Sequence, residues 1–186
     1  MEPRSDERRS QVGTRDVMNE ETILNRVSQS KIFTFNLEDY YPEGKRILLD
    51  IKDWLYEGII LKEKEFRAAL MQHDWAQYQD AFVALHCSSE AIVPGWAYML
   101  IATKLEPYAS KTVQGNLEQL ETSLFQSVIE KLDVSEFEGR LVIVKGCSNK
   151  PVPPNAYLLI TQKLQPVVKS LMYGEACSSV PLFKKK

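Results

Sequence analysis

One apolar stretch of this chain occurs twice, and the repetition restricts the fold more than any other feature. The segment VALHCSSEAIVPGWAYMLIATKLEP begins at Val83, and VIVKGCSNKPVPPNAYLLITQKLQP begins at Val142. When Phe66–Gly115 is aligned with Phe125–Gly174, a shift of 59 residues with one single-residue slip near the cysteine, fifteen positions carry the same residue. The identities are collinear, which indicates duplication of one supersecondary unit.

Each copy of the unit, about residues 58–115 and 117–174, has the pattern helix, strand, loop, helix, strand. ILKEKEFRAALMQ and LEQLETSLFQSVIEKL have apolar residues at helical spacing, whereas AFVALH and RLVIVKG are short apolar runs typical of strands buried on both faces. The segment RILLDIKDW predicts one more strand before the first copy, and KIFTFNLEDYYP an edge strand. Alternating strands and helices predict a single α/β domain over residues 18–186, with a mostly parallel sheet from a duplicated α-β-α-β unit.

Charge and hydropathy exclude several classes of protein. The net charge is −2, which gives no general reason to bind nucleic acid or an anionic membrane. No apolar run approaches the length that spans a bilayer. Residues 1–17 are rich in charge and poor in large apolar side chains, so we expect a disordered tail that does not resemble a signal peptide. We therefore expect a cytoplasmic protein that binds neither nucleic acid nor membrane.

All three cysteines, Cys87, Cys147 and Cys177, come just after predicted strands, and each is followed by a serine. The carboxyl ends of parallel strands share one edge of a sheet, where open α/β sheets bind their ligands. The three thiols are therefore expected to converge. Zinc and the iron of iron–sulfur clusters take such ligands, and three protein thiolates leave one coordination position open.

Further ligands would complete this predicted metal site. His86 is a candidate, although neighbouring residues on a strand point to opposite faces, so it can share an ion with the adjacent cysteine only where the strand has ended. Glu118 matches Cys177 in the repeat, and Glu90 and Glu175 are weaker candidates.

Two other interpretations of the cysteines remain open. One of them can be a reactive nucleophile, for which Cys147 is the best placed because a helix begins shortly after it. Alternatively, the cysteines are small buried side chains without chemistry. The chain has no H-E-x-x-H, G-x-S-x-G or G-x-G-x-x-G motif. Asp74 and Asp133 are equivalent in the repeat and lie between helix and strand, which favours a role in a turn.

Several motifs together resemble an uncharacterised bacterial family catalogued as domain of unknown function twenty-four-eighty. They are LEDYYPEGKR, HDWAQYQ, HCSSEAIVPGWAYML, LEQLETSLFQ, GCSNKPVP and SLMYGEACSSVPLFKKK, and the resemblance covers residues 18–186. The family implies no activity and no residue roles. Its members tend to be encoded beside iron–sulfur cluster assembly proteins of the sulfur-mobilisation system, which implies such proteins as partners.

The sequence therefore predicts an accessory factor that binds a metal or iron–sulfur cluster through Cys87, Cys147 and Cys177, with His86 or Glu118 completing the ligand shell. An open coordination position would also allow a homodimer that bridges a cluster. The alternatives are a sulfur-handling enzyme with Cys147 as its nucleophile, and a non-catalytic interaction module whose cysteines are structural.

Overall fold

A computed structural model of the chain describes residues 32–146, 149–175 and 177–186. The described residues contain seven strands and four α-helices. In chain order they are β1 (Ile32–Phe35), β2 (Arg46–Asp50), α1 (Glu63–Gln72), β3 (Phe82–His86), α2 (Gly95–Leu105), β4 (Lys111–Gln114), α3 (Leu117–Lys131), β5 (Leu141–Val144), α4 (Pro154–Leu164), β6 (Ser170–Glu175) and β7 (Ser178–Lys184). Residues 31–186 form one compact unit. The predicted tail, residues 1–17, lies outside the described residues.

The strands form two sheets, and all but one of the strand pairs are parallel. The first sheet has the order β2-β3-β4, and the second has the order β1-β5-β6-β7. Only β7 runs antiparallel to its neighbour. The α/β class with mostly parallel strands is thus confirmed, and the predicted edge strand in KIFTFNLEDYYP is β1. The arrangement in two sheets differs from the single sheet that the sequence suggested.

The last strand, β7, was not predicted from the sequence. It pairs with β6 at the edge of its sheet and contains Pro181, which lies opposite Met172 next to an irregularity in the register. Proline has no N–H to donate to a ladder, so within sheets it is confined to edges and bulges. The proline therefore concealed the strand in the sequence, although its position on an edge makes it compatible with pairing.

Among the described residues, two large apolar cores and one small apolar cluster lie against the two sheets. The central strands are buried over consecutive residues, Val83 to Leu85 in β3 and Val142 to Val144 in β5, because both faces of each strand are covered. Phe66 of α1 is fully buried in the core of the first sheet, and its repeat equivalent Phe125 of α3 is fully buried in the core of the second. Each phenylalanine thus fills the centre of its own cluster.

Helix α3 joins the two halves because it buries two sides. Leu120 and Leu124 pack against Ala84 on the first sheet, whereas Phe125 and Ile129 belong to the core of the second sheet. Burial of both sides explains why apolar residues occupy more of this helix than a one-sided surface helix needs.

A mostly buried ion pair reinforces the same junction. The Arg46 guanidinium binds Glu121 of α3 with Nε–Oε1 and Nη2–Oε2 distances of 2.7 and 3.2 Å, and its Nη1 donates to the Gly44 carbonyl at 2.7 Å. The guanidinium also lies over the Tyr41 ring, 4.4 Å from the centroid. Burial opposes the charge of Arg46, but the hydrogen bond and charge of Glu121 outweigh it and raise the arginine pKa above its ordinary value.

The two halves contain the same elements in the same order. Helix α2 spans Gly95–Leu105 and α4 spans Pro154–Leu164, so that both boundaries are shifted by 59 residues. Asp74 Oδ1 accepts from Ala76 N at 3.1 Å, and Asp133 Oδ1 accepts from Ser135 N at 2.9 Å, which confirms the predicted turn role. A common origin of the halves stays a prediction. Within the described residues, no helix combines the length and the hydropathy that crossing a bilayer requires.

Candidate functional site

Cys87 lies in the loop that follows the central strand of the first sheet. Strand β3 ends at His86, and Cys87 is half-buried against the apolar core of that sheet. Its Sγ lies 3.3 Å from Ser89 Oγ and 3.7 Å from the Ser89 carbonyl oxygen. The thiol is thus held at the base of a loop that turns away from the strand end.

A carboxylate from the neighbouring strand holds this loop. Asp50 ends β2 and pairs in register with His86. Its Oδ1 accepts hydrogen bonds from Ser88 N at 3.1 Å and from Lys52 N at 3.0 Å. Partial burial alone would raise the pKa of Asp50, but hydrogen bonds from Ser88 and Lys52 and the charge of His86 lower it below its ordinary value. Asp50 is therefore an ionised tether for the backbone beside Cys87.

Tyr98, in the second turn of α2, also faces this strand end. Burial raises the pKa of its hydroxyl, and the charges of Cys87 and Asp50 raise it further, against an opposing effect of the Gln114 side chain. The phenol therefore stays protonated at neutral pH.

The second sheet has a corresponding tether. Glu38 follows β1, and its Oε1 accepts hydrogen bonds from the backbone N–H of Asn149 and from Lys150 N, the latter at 2.8 Å. The Lys150 ammonium in turn pairs with Glu43 at 2.7 Å. β1 pairs with β5 as β2 pairs with β3. In both sheets, a carboxylate at the end of the neighbouring strand or shortly after it therefore holds the loop that follows β3 or β5.

Cys147 lies in this second loop but outside the described residues, as does Ser148. Cys177 is exposed and lies in the turn between β6 and β7, next to the strand that pairs with β5. Cys87 instead follows a strand of the other sheet. The sequence predicted that all three thiols meet at one edge of one sheet. Cys87 follows a strand of the first sheet, whereas Cys147 and Cys177 follow strands of the second, so the thiols could meet only if the edges of both sheets come together.

The other predicted ligands are separated among several elements. His86 is half-buried at the end of β3, whereas Glu118 is exposed in the first turn of α3. Glu90 is exposed in the Cys87 loop, and Glu175 ends β6. Among the residues that the structure describes, no group of three or more His, Cys, Asp and Glu side chains could hold a metal ion. A site that includes Cys147 stays a prediction.

The sequence did not reveal the two tethering carboxylates. Asp50 is the last residue of β2, whereas Glu38 lies three residues beyond β1 in a short 3-10 helix, next to a second acidic residue, Asp39. An acidic residue near the end of one parallel strand can reach the loop that follows the neighbouring strand. Such a residue can be recognised in the sequence only when it is already known which strands are neighbours.

The fold and its paired loops define an α/β protein with two tethered loops at the carboxyl ends of parallel strands. The chain belongs to the family described as Protein of unknown function (DUF2480), which it matches over residues 21–185. No curated protein and no solved structure matches the chain.

Proposed function

We propose that the protein is a cytoplasmic accessory factor that binds a metal or an iron–sulfur cluster through cysteine thiolates during cluster assembly. One observation carries the proposal: a carboxylate at the end of β2, Asp50, and one shortly after β1, Glu38, fix the backbone of the loops that follow β3 and β5. Each of these loops contains a Cys-Ser pair, at Cys87 and at Cys147. A fixed loop presents a ligand at low entropic cost, which favours metal binding.

The strand order suggests which of the thiols would bind the metal together. Cys147 follows β5 and Cys177 follows β6, and these two strands are direct neighbours in the second sheet. We therefore expect Cys147 and Cys177 to contribute the main pair of ligands. Cys87, His86 and Glu118 are the ligands that would complete the shell, and an unfilled position would accept a ligand from an assembly partner or from a second copy of the chain.

Metal titration of cysteine variants tests this proposal. We would titrate reduced, metal-free protein anaerobically with zinc, and separately with ferrous iron and sulfide, for the wild type and for C87S, C147S and C177S. Ser179→Ala is a control in the same hairpin as Cys177. The expected result is at least a tenfold loss of zinc affinity in C147S and C177S and unchanged affinity in the control. Equal binding by the wild type and all three cysteine variants would contradict the proposal.

The C87S variant then distinguishes two versions of the site. If Cys87 is a ligand, C87S weakens binding as much as the other two substitutions do. If the site is built on the second sheet alone, C87S binds zinc like the wild type. A circular dichroism spectrum of each variant separates lost ligation from lost folding.

The interaction module is a second candidate function because the structure contains an exposed apolar groove beside the Cys87 loop. Ile92, two residues beyond Glu90 in that loop, is 93% exposed. The sulfur-handling enzyme with Cys147 as nucleophile stays a prediction, since this cysteine lies outside the described residues.

A further inference from the structure

A groove runs along the outer side of α1 and α2 in the first half of the molecule. It consists of two depressions of about 370 and 760 Å³, which share Glu63 of α1 and Trp96 of α2 as lining residues. The larger one is bounded by the segment Ile59–Leu61 and by Glu90, Ile92 and Pro94 of the Cys87 loop. The groove therefore continues directly from the loop that begins at Cys87.

The lining of the groove is mixed, and several of its apolar side chains are open to solvent. The exposed fractions are 93% for Ile92, 71% for Met99, 54% for Ile59 and 48% for Ile60. Single apolar side chains on a surface are ordinary, but a contiguous set around a concave surface marks a site of interaction. Four residues of α2 that line the groove, Trp96, Met99, Leu100 and Thr103, follow helical spacing along one side of the helix.

The charges beside the groove do not balance. Arg67 pairs with Glu63 at 2.9 Å and lies over the Trp96 ring at 5.6 Å, so its charge is already used within the protein. Glu90 forms no ion pair or hydrogen bond with any other residue in the described part of the chain. The loop end of the groove therefore has one uncompensated carboxylate, and a complementary partner would place a cation there.

The second half keeps only part of this surface, since Leu158, the equivalent of Met99, is also an exposed apolar residue. The position of Trp96 is occupied by Asn155 in the second copy, and the position of Ile92 by Pro151. Both copies nevertheless form the same helix, α2 and α4. Trp96 also packs on the core of the first sheet, with its ring centroid 6.0 Å from that of Phe66, whereas Ile92 is almost fully exposed and adds little to that core.

We infer that the groove binds an amphipathic helix of a partner protein, with apolar side chains on one face and a lysine or arginine next to that face. The apolar face would pack on Ile92, Trp96 and Met99, and the cation would pair with Glu90. Amphipathic helices bind to apolar grooves through apolar side chains that are three and four positions apart. This inference does not depend on metal binding, although it would place the partner next to Cys87.

Two synthetic peptides test the inference with the full chain. Both are fluorescein-labelled 18-residue amphipathic helices with leucine on one face, and they differ in having lysine or glutamate on the other. Fluorescence anisotropy measures their affinity for the wild type, for a double variant with I92S and M99S, and for Glu90→Lys. M71S and L158S are matched controls, because Met71 and Leu158 are 82% and 63% exposed and neither lines the groove.

The expected result is that the wild type prefers the lysine peptide and that the double variant binds it at least tenfold more weakly. M71S and L158S should bind like the wild type, and Glu90→Lys should prefer the glutamate peptide. Equal affinities across all variants would overturn the inference. It would also be overturned if the wild type sedimented as a dimer that the double variant dissociates, since a second copy would then occupy the groove.

Discussion

The two halves of the molecule share their order of elements but differ in what they present to solvent. The first half comprises β2, α1, β3, α2 and β4, and the second comprises β1, α3, β5, α4 and β6. Beside the Cys87 loop the first half has Trp96 and Ile92, where the second has Asn155 and Pro151. The surface beside this loop therefore differs between the halves, although both have an exposed apolar residue at one equivalent position, Met99 and Leu158.

The comparison extends to the residues that the repeat preserves. Gly115 and Gly174 are equivalent, and both have positive φ angles, 137° and 121°, which L side chains rarely adopt. A side chain at Gly115 would also meet the Gln119 side chain, and one at Gly174 would meet the Ser178 carbonyl. Backbone geometry therefore explains why both copies keep this glycine.

The largest expected effect comes from the equivalent core phenylalanines. Phe66→Ala and Phe125→Ala should each lower the free energy of unfolding by about 4 kcal/mol, because each removes a fully buried ring from its core. All three tryptophans, Trp54, Trp75 and Trp96, lie in the first half, so their fluorescence reports on that half while circular dichroism reports on both.

Urea unfolding followed by both probes measures whether the halves are independent. Because α3 packs on both sheets, Phe125→Ala should shift the fluorescence midpoint as much as the circular dichroism midpoint. An unchanged fluorescence midpoint in this variant would show two independent units. Met71→Ala, at an exposed position, is the control and should leave both midpoints in place.

Next in size is the ion pair between the halves. Removal of one partner, in Arg46→Ala or Glu121→Ala, should cost about 3 kcal/mol because the other charge stays mostly buried without a counter-charge. Replacing both residues, Arg46→Met with Glu121→Leu, should cost clearly less than the sum of the two single losses. Additive losses in a double-mutant cycle by chemical denaturation would show that the pair does not couple the halves.

A smaller effect is expected from the tethers of the two loops. Asp50→Ala should lower stability by about 1 kcal/mol, since two backbone N–H groups lose a charged acceptor, and Asp50→Asn should cost less because its amide oxygen still accepts. Asp50→Ala should also speed the alkylation of Cys87 by iodoacetamide, measured by mass spectrometry of reduced protein. Glu38→Ala acts on the other loop and should leave the Cys87 rate unchanged. A Cys87 rate that does not respond to Asp50→Ala would show that the loop is fixed by other contacts.

The smallest effect concerns pH and occurs only in the first half. The His73 Nε2 lies 2.8 Å from the Tyr78 hydroxyl, and burial lowers the pKa of His73 below its ordinary 6.5, against the opposing charge of Asp74. The unfolded chain thus binds a proton more readily than the folded one. The contribution of His73 to stability is therefore fully present above pH 6.5 and is lost as the pH falls through the folded-state pKa.

Replacing His73 and Tyr78 with the residues at the equivalent positions of the second half tests this contribution. Leu132 and Phe137 are the repeat equivalents of His73 and Tyr78. A double variant with His73→Leu and Tyr78→Phe should lose less stability than the wild type between pH 7 and pH 5, as measured by urea unfolding. The same loss in both proteins would mean that another group dominates the acid response.

The sequence predicted those features that depend on local pattern or on the repeat. The helices, the buried strands, the turns at Asp74 and Asp133 and the placement of Cys87 just past a strand all follow from spacing within a few residues. Strand pairing does not, because β1 pairs with β5 and bypasses β2, which is nearer in sequence. Two sheets and two tethers therefore emerge only from long-range pairing.

Two further features, the role of Asp50 and the groove at Trp96, could not be predicted from the sequence for a physical reason. The acceptor role of Asp50 depends on the register that places it opposite His86, a relation between strands 36 residues apart. The groove at Trp96 depends on which side of α2 is left uncovered, and an amphipathic pattern does not show that in a helix with apolar residues all round.

The most direct test of the proposed function is the metal content of the protein purified without oxygen. The wild type would be isolated anaerobically under reducing conditions, and its zinc, iron and acid-labile sulfide would be measured together with its visible spectrum. The proposal predicts bound zinc, or iron with sulfide-to-iron charge-transfer bands, in near-stoichiometric amount. Protein free of both metals, and unable to take up either one when supplied, would contradict it.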